Sequence, residues 1–448
     1  MERLRPGLKL GGEPNTFAEL LTEAQPHVAE MIESMRDFIG SNQMMAYLVM
    51  MTTRLIELHR VLNRTGSLYL HCDPTASHYL KIILDVIFGK RNFRNEIIWC
   101  YRGAGYPKKD FGKRHDVILR YSKTDNYIFN LDAVREPYAE ATKERFKHYI
   151  GNKRYGKDYG IQTLNPLGKH PDDWWEIQPI APSARERLGY PTQKPEALLE
   201  KIIQASSHEG SVVLDPFCGC GTTVSVAERL KRRWIGIDIT HLGITAMKYR
   251  LKDAFPGISF KVIGEPRDIG AARQLASEDR YQFQWWALSL IPGTMPVGGQ
   301  EGSREGKKGS DKGIDGILTF IDEAKGRAKR ALVQVKSGHV NSSMIRDLIG
   351  TIQREQAEIG VFITLEEPTR DMVTEALTAG FYNSPGWRKR YPVVQIYTVE
   401  ELLRGADVNM PPRYWWGKRA KVLKSYGEQK VLELMPRVIR KVRATTNK

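Results

Sequence analysis

The run Val212-Val213-Leu214-Asp215-Pro216-Phe217-Cys218-Gly219-Cys220-Gly221-Thr222-Thr223 constrains the fold more than any other part of the chain. It reads as an apolar strand running into a Gly-x-Gly turn that opens a helix, the local pattern of an α/β sheet whose turn cradles a nucleotide-like ligand. The periodicity around it alternates. Pro195 starts a helix, the Val212 strand follows, a helix spans 222–231, a strand around Ile235 ends at Asp238, a helix spans 241–254, and Ile258 to Ile263 reads as a further strand. Alternating strands and helices predict a parallel, doubly wound sheet.

Upstream, Met45, Leu48, Thr52, Leu55, Leu58 and Leu62 recur at helical spacing over 42–63, and Ser67 to Cys72 alternates as a strand. A helix over about 77–89 and strand-like runs at Asn95–Tyr101, His115–Tyr121 and Asn126–Asn130 continue the α/β pattern. From about 102 to 189 the chain is largely irregular, basic and aromatic, and so long an insert is usually functional. Residues 1–41 form an extension with no good apolar strand, and 292–313 read as a Gly/Lys/Ser-rich linker.

At 448 residues the chain exceeds the usual size of one core, so more than one domain is expected. Its net charge of +16 and pI near 9.5 favour a polyanionic partner. The last 36 residues, 413–448, hold 11 Lys or Arg against 2 Glu and read either as a solvated tail or as a phosphate-binding arm. Four cysteines without a CxxC pair fit a reducing cytoplasm. The most apolar stretch, Met44 to Leu62, is broken by Arg54, Glu57, His59 and Arg60, so no membrane span is expected.

The turn lacks the third glycine of a dinucleotide fingerprint, since Val224 follows Gly219 and Gly221, and no Gly-Lys-Ser/Thr phosphate loop is present. A cofactor without phosphates, such as S-adenosylmethionine, fits better, with Asp238 at the next strand end for the ribose hydroxyls. Together with Tyr190-Pro191-Thr192-Gln193-Lys194-Pro195 upstream, the stretch from about 42 to 264 resembles the beta group of N6-adenine and N4-cytosine DNA methyltransferases. The resemblance implies a Rossmann-like sheet over 42–266 and double-stranded DNA as partner. It places target recognition in the 102–189 insert. It maps the glycine motif to Asp215, Phe217, Gly219 and Gly221, the preceding helix motif to Thr192, Lys194 and Pro195, and the ribose carboxylate to Asp238.

The family's catalytic segment, Asp, Asn or Ser followed by Pro-Pro and an aromatic, does not occur. The one Pro-Pro, Pro411-Pro412, is followed by Arg413, and Asp73-Pro74-Thr75 lacks the second proline and the aromatic. The simplest expectation is that Met1 is an internal start with the segment encoded upstream. A polypeptide partner supplying it, or a module without catalysis, are the alternatives.

After Gly313-Ile314-Asp315-Gly316 come an apolar strand, then Ala331 to Gly338, a helix over 344–357 and a strand over Ile359–Thr364. This second, smaller α/β unit, 267–404 and followed by a basic tail over 405–448, resembles the Mrr-like restriction endonuclease fold. That resemblance implies Asp315 and a neighbouring carbonyl holding a hard divalent ion such as Mg2+, with Lys336 near an attacking water. Period-two spacing puts Gln334 and Lys336 on one face. The leading expectation is a DNA amino methyltransferase of a prokaryotic restriction-modification system, the target base, adenine or cytosine, staying open. A specificity subunit or a modification-dependent nuclease is the alternative.

Overall fold

The computed structural model describes Leu20 and residues 25–413, apart from 104, 106, 148–150, 155, 156, 162, 182, 185, 189, 191, 298–312, 321 and 323–327, with side chains left out over 151–161. Most of the expected 292–313 linker and the basic segment 414–448 lie outside the described residues. The chain divides into two compact units, one of 1–186, 194–215 and 226–235, the other of 187–193, 216–225 and 236–448. Among the described residues no helix is long and apolar enough to cross a membrane.

In the first unit, α1 (Pro26–Ile39) begins at a proline, where the missing N–H would be unsatisfied anyway. Asn42 caps α2 (Gln43–Val61) by accepting from the Met45 amide at 3.0 Å. Asp73 caps α3 (Pro74–Phe88) by accepting from the Thr75 and Ala76 amides, both at 3.1 Å. Asp73-Pro74-Thr75 is therefore a helix start, as its missing second proline implies. The strands β1 (Ser67–Cys72), β2 (Phe93–Cys100), β3 (His115–Ser122) and β4 (Trp174–Glu176) form a sheet in the order β1–β3–β2–β4. Val117, Leu119 and Tyr121 pack with the three helices, while Ile97, Trp99, Ile118 and Trp175 pack on the other side with Leu198 of α4 (Glu196–Ser206). A two-stranded sheet of β5 (Val212–Asp215) and β6 (Arg233–Gly236) stands separately, with α5 (Thr222–Arg229) between them in sequence.

Two strand expectations change here, those at 126–130 and 258–263, while the mixed sheet and the helix in the extension add to what was expected. The sheet around β3 is mixed, because β3 runs antiparallel to both β1 and β2 and only β2 and β4 are parallel. Residues 126–130 are no strand: the Asn130 side-chain amide donates to the carbonyls of Gln204 and Ser207, holding that segment against the end of α4. Residues 258–263 are coil, with Ile263 81% exposed; the Val262 carbonyl accepts from the Arg267 guanidinium at 3.0 Å, and alternation alone does not make a strand. The extension before residue 42 contains α1, whose Val28, Ile32 and Met35 are buried at helical spacing.

In the second unit α6 (His241–Ala254) is capped by Thr240 and followed by α7 (Ile269–Glu278) and α8 (Arg280–Ser289). Then come β7 (Gly316–Phe320), β8 (Lys329–Lys336), α9 (Ser342–Arg354), β9 (Ile359–Thr364), α10 (Arg370–Thr378), β10 (Val394–Thr398) and α11 (Val399–Leu403). β7 is antiparallel to β8, and β8, β9 and β10 are parallel. Val333 and Ile363 pack with Phe283 and Trp286 of α8, while Leu332 and Phe362 pack with Leu348 of α9 and Met372 of α10. Burial on both faces explains why β8 and β9 are apolar at successive positions, as at Ala331–Val333 and Val361–Ile363.

Candidate cofactor site and endonuclease-like site

The glycine turn is held from three sides within the second unit. The Cys218 amide donates to the Ile237 carbonyl at 2.9 Å and the Gly221 amide to the Cys218 carbonyl at 2.7 Å. Gly219 and Gly221 have φ of +48° and +73°, a region costly for any side chain. A Cβ on Gly221 would lie 2.4 Å from Cγ of Met247, and one on Gly219 would lie 3.0 Å from the Tyr190 ring. Tyr190, from the motif upstream of Pro195, thus covers the turn, and burial followed by the Asp238 charge raises its pKa.

Asp238 closes the turn. Its Oδ2 accepts from the Gly219 amide at 2.8 Å, and its Oδ1 accepts from the Thr240 amide at 2.8 Å and the Thr240 hydroxyl at 2.7 Å. A carboxylate offers about four acceptor positions, so one is left for a ligand hydroxyl. The residues thus fit a ribose-bearing cofactor without phosphates: two glycines where side chains are excluded, and a carboxylate with remaining capacity beside them. Phe217, 48% exposed, stands in the same turn. Thr192 is also in this unit and has φ of +62°.

Asp215 and Lys194 belong to the first unit. Asp215 ends β5, and Lys194 has its ammonium 5.9 Å from the Trp99 ring centroid. Here lies a cluster that sequence reasoning missed. His71 Nε2 and Asp116 Oδ2 are 3.0 Å apart, and the Tyr101 hydroxyl lies 3.5 Å from the other Asp116 oxygen. Burial lowers the pKa of His71, with the Lys194 charge adding to the effect, and burial lowers that of Lys194 against the pull of Asp116. The available signal was positional: His71 near the end of one alternating strand and Asp116 at the start of another.

In the endonuclease-like region both oxygens of Asp315 accept from the fold. Its Oδ1 accepts from the Gln284 side-chain amide at 2.9 Å and its Oδ2 from the Val335 backbone amide at 2.7 Å. Gln334 is 7% exposed, and its carbonyl oxygen has no hydrogen-bond partner among the described residues. Lys336 ends β8, half-buried. A hard divalent ion takes six or so oxygens, and no group of three or more His, Cys, Asp or Glu among the described residues can hold a metal. Among the described residues one carboxylate and one side-chain amide are too few oxygen ligands for Mg2+.

Residues 27–247 match the family described as DNA methylase, and residues 301–404 match one described as NACHT-associated inactive Restriction Endonuclease 1. M.HpaI, a Type II methyltransferase of Haemophilus parainfluenzae, is 32% identical over 246 residues, 55% of this chain and 71% of that protein. M.BglII, a Type II methyltransferase of Bacillus subtilis, is 36% identical over 200 residues, 43% of this chain, and the match spans about half of that relative, 53%. Among solved structures, the cytosine-N4-specific PvuII DNA methyltransferase is 17% identical with a TM-score of 0.37, over 49% of this chain and 75% of that one. The chain belongs to the N6/N4 DNA methylase family and carries a restriction-endonuclease-like region after its methylase region.

Proposed function

We propose that this chain binds S-adenosylmethionine at the Gly219–Gly221 turn and serves the methylation of an exocyclic amine, N6 of adenine or N4 of cytosine, in double-stranded DNA. The reaction belongs to a prokaryotic restriction-modification system in the cytoplasm. The observation that carries the reading is the closure of Asp238 on the Gly219 amide, which leaves acceptor capacity at a turn that excludes side chains. The cofactor supplies an electrophilic methyl group on sulfur. The chain's own residues orient it: the turn takes the sulfonium and amino acid end, the last Asp238 lone pair takes a ribose hydroxyl, and Phe217 gives an apolar face beside them. Sequence recognition is assigned to 102–114 and 123–189, on either side of β3.

The amine also needs an acceptor, the role of the Asp, Asn or Ser in the family's Pro-Pro-aromatic segment. β1 supports a place for that segment. The Lys123 amide donates to the Gly66 carbonyl at 3.0 Å, so with strict alternation the backbone groups of Ser67, Tyr69 and His71 face away from β3. Among the described residues β1 ends the sheet; it carries no proline, Lys or Glu and has apolar residues packed on both faces, the composition of an interior strand. A further strand carrying the segment fits that edge by β-augmentation.

The test measures transfer of labelled methyl from S-adenosylmethionine to DNA, with and without a co-expressed polypeptide containing an apolar strand and an Asp-Pro-Pro-Tyr loop. Transfer only with the added polypeptide is expected. Transfer by the chain alone would refute the role of β1, and cofactor binding without transfer in either case would favour a non-catalytic specificity subunit.

A further inference from the structure

We infer that the loop between β2 and β3 is a wedge that enters the base stack of the DNA, with Phe111 as the inserted side chain. The inference rests on the proposed DNA-methylating function and adds how the duplex is engaged. Phe111 is 98% exposed, more than any other large apolar side chain described, although a single buried phenylalanine stabilises a fold by about 1.5–3 kcal/mol. It stands in a basic frame: residues 102–114 hold five Lys or Arg against one Asp. Lys108, Lys109 and Lys113 are exposed and form no ion pair among the described residues. The loop is braced at its base. The Arg114 guanidinium donates to the Gly105 carbonyl, the Tyr101 amide donates to the Arg114 carbonyl at 3.0 Å, and the Arg114 side chain lies where a Cβ on Gly103 would be, 2.9 Å away.

The adjoining surface suits nucleic acid as well. An open cavity of about 400 Å³ lies at the foot of the loop, lined by Ile98, Cys100, Tyr101, Arg102, Arg114 and Glu176 among others. Register pairs Trp174 with Ile98 and Glu176 with Cys100, so Trp174, 56% exposed, stands on the same sheet face as that cavity. An exposed phenylalanine among unpaired lysines, with an exposed tryptophan on the sheet face of the cavity, fits a polyanion with stackable bases. Apolar wedges between base steps and aromatic stacking on bases are the two ways proteins use such side chains on DNA. Enzymes that act on a base extrude it from the stack, and an apolar ring on a loop can enter between base steps.

The experiment measures binding of the full chain to two labelled short duplexes of one sequence, one intact and one with a central abasic site, across a salt series. Wild-type protein is expected to prefer the abasic duplex. Phe111→Ala is expected to lose that preference, by about fivefold or more, the low end of a base–aromatic stack, while binding the intact duplex as before. Combined Lys108→Ala, Lys109→Ala and Lys113→Ala is expected to weaken both duplexes equally and flatten the salt slope by about 0.9 per lost phosphate contact. Absence of any wild-type preference, or its survival in Phe111→Ala, overturns the wedge. Unchanged salt slope in the lysine variant overturns contact by the loop. Failure of the wild-type chain to bind either duplex overturns the DNA-methylating reading itself.

Discussion

Replacing Asp238 with Asn keeps the shape of the side chain and removes its charge and half of its acceptor capacity. Three donors converge on this carboxylate, the Gly219 amide on one oxygen and the Thr240 amide and hydroxyl on the other. Whichever way the new amide turns, its NH2 meets a backbone N–H: that of Gly219 or that of Thr240. Loss of a hydrogen bond to a charged group costs about 1.5–3 kcal/mol, equivalent to about 10- to 150-fold in affinity at 1.36 kcal/mol per decade. Asp238→Ala, which also deletes the ribose partner, is expected to fall in the same range or below it. Isothermal calorimetry with S-adenosylmethionine measures both, and Thr240→Val, which deletes only one neutral donor, gives the small-effect control. Affinity of Asp238→Asn and Asp238→Ala within about threefold of wild type, less than one such bond, would remove Asp238 from the cofactor site.

Gly221→Ala places a Cβ against Met247 in left-handed backbone and is expected to cost about 1–2 kcal/mol of conformational strain plus about 1–3 kcal/mol of overpacking. Calorimetric affinity should fall accordingly, and adding Met247→Ala should restore only the steric part. Asp315→Ala leaves the Val335 and Gln284 amides without their acceptor and is expected to lower the melting temperature of the chain, while wild type and variant leave supercoiled plasmid equally intact with Mg2+; nicking abolished by the variant would refute the structural assignment. His71 has a pKa held below its ordinary 6.5, chiefly by burial, so the unfolded chain binds the extra proton first. Its stabilising contribution is complete above that value and declines as pH falls toward the folded value. Melting curves between neutral and mildly acidic pH should therefore show a smaller acid loss in His71→Gln than in wild type, and equal losses would contradict the burial argument. Arg120 is 4% exposed, its Nε and Nη2 have no hydrogen-bond partner among the described residues, and its guanidinium stands 4.6 Å from the Phe129 ring centroid and 5.2 Å from that of Tyr127. Orphaned donors cost about 1–3 kcal/mol each and cation–π contacts return about 0.5–2 kcal/mol each, so Arg120→Met should melt at or above the wild-type temperature.

What was legible in the sequence was local. The glycine turn, α6 over 241–254 and β1 over 67–72 follow from periodicity and caps, and the structure has them at those positions. The link from Asp238 back to Gly219 joins residues 19 apart, and only the strand-end position of the carboxylate hinted at it. Pairing was not legible. Nothing in the alternation of His115 to Tyr121 says that β3 lies antiparallel between β1 and β2, because alternation records faces and not neighbours. Ile258–Ile263 shows the converse, an alternating segment that forms no strand. The partners of Asp315 were illegible for a related reason: nothing near an Asp after a glycine turn announces that Gln284, 31 residues earlier, donates to its carboxylate.

The central claim is that the Gly219–Gly221 turn with Asp238 holds a nucleoside cofactor without phosphates. Equilibrium dialysis of the wild-type chain against labelled S-adenosylmethionine, with S-adenosylhomocysteine and NAD as competitors, tests it directly. Saturable binding of one molecule per chain, displaced by S-adenosylhomocysteine and indifferent to NAD, is the expected result. No saturable binding by the folded chain, or displacement by NAD, would contradict it.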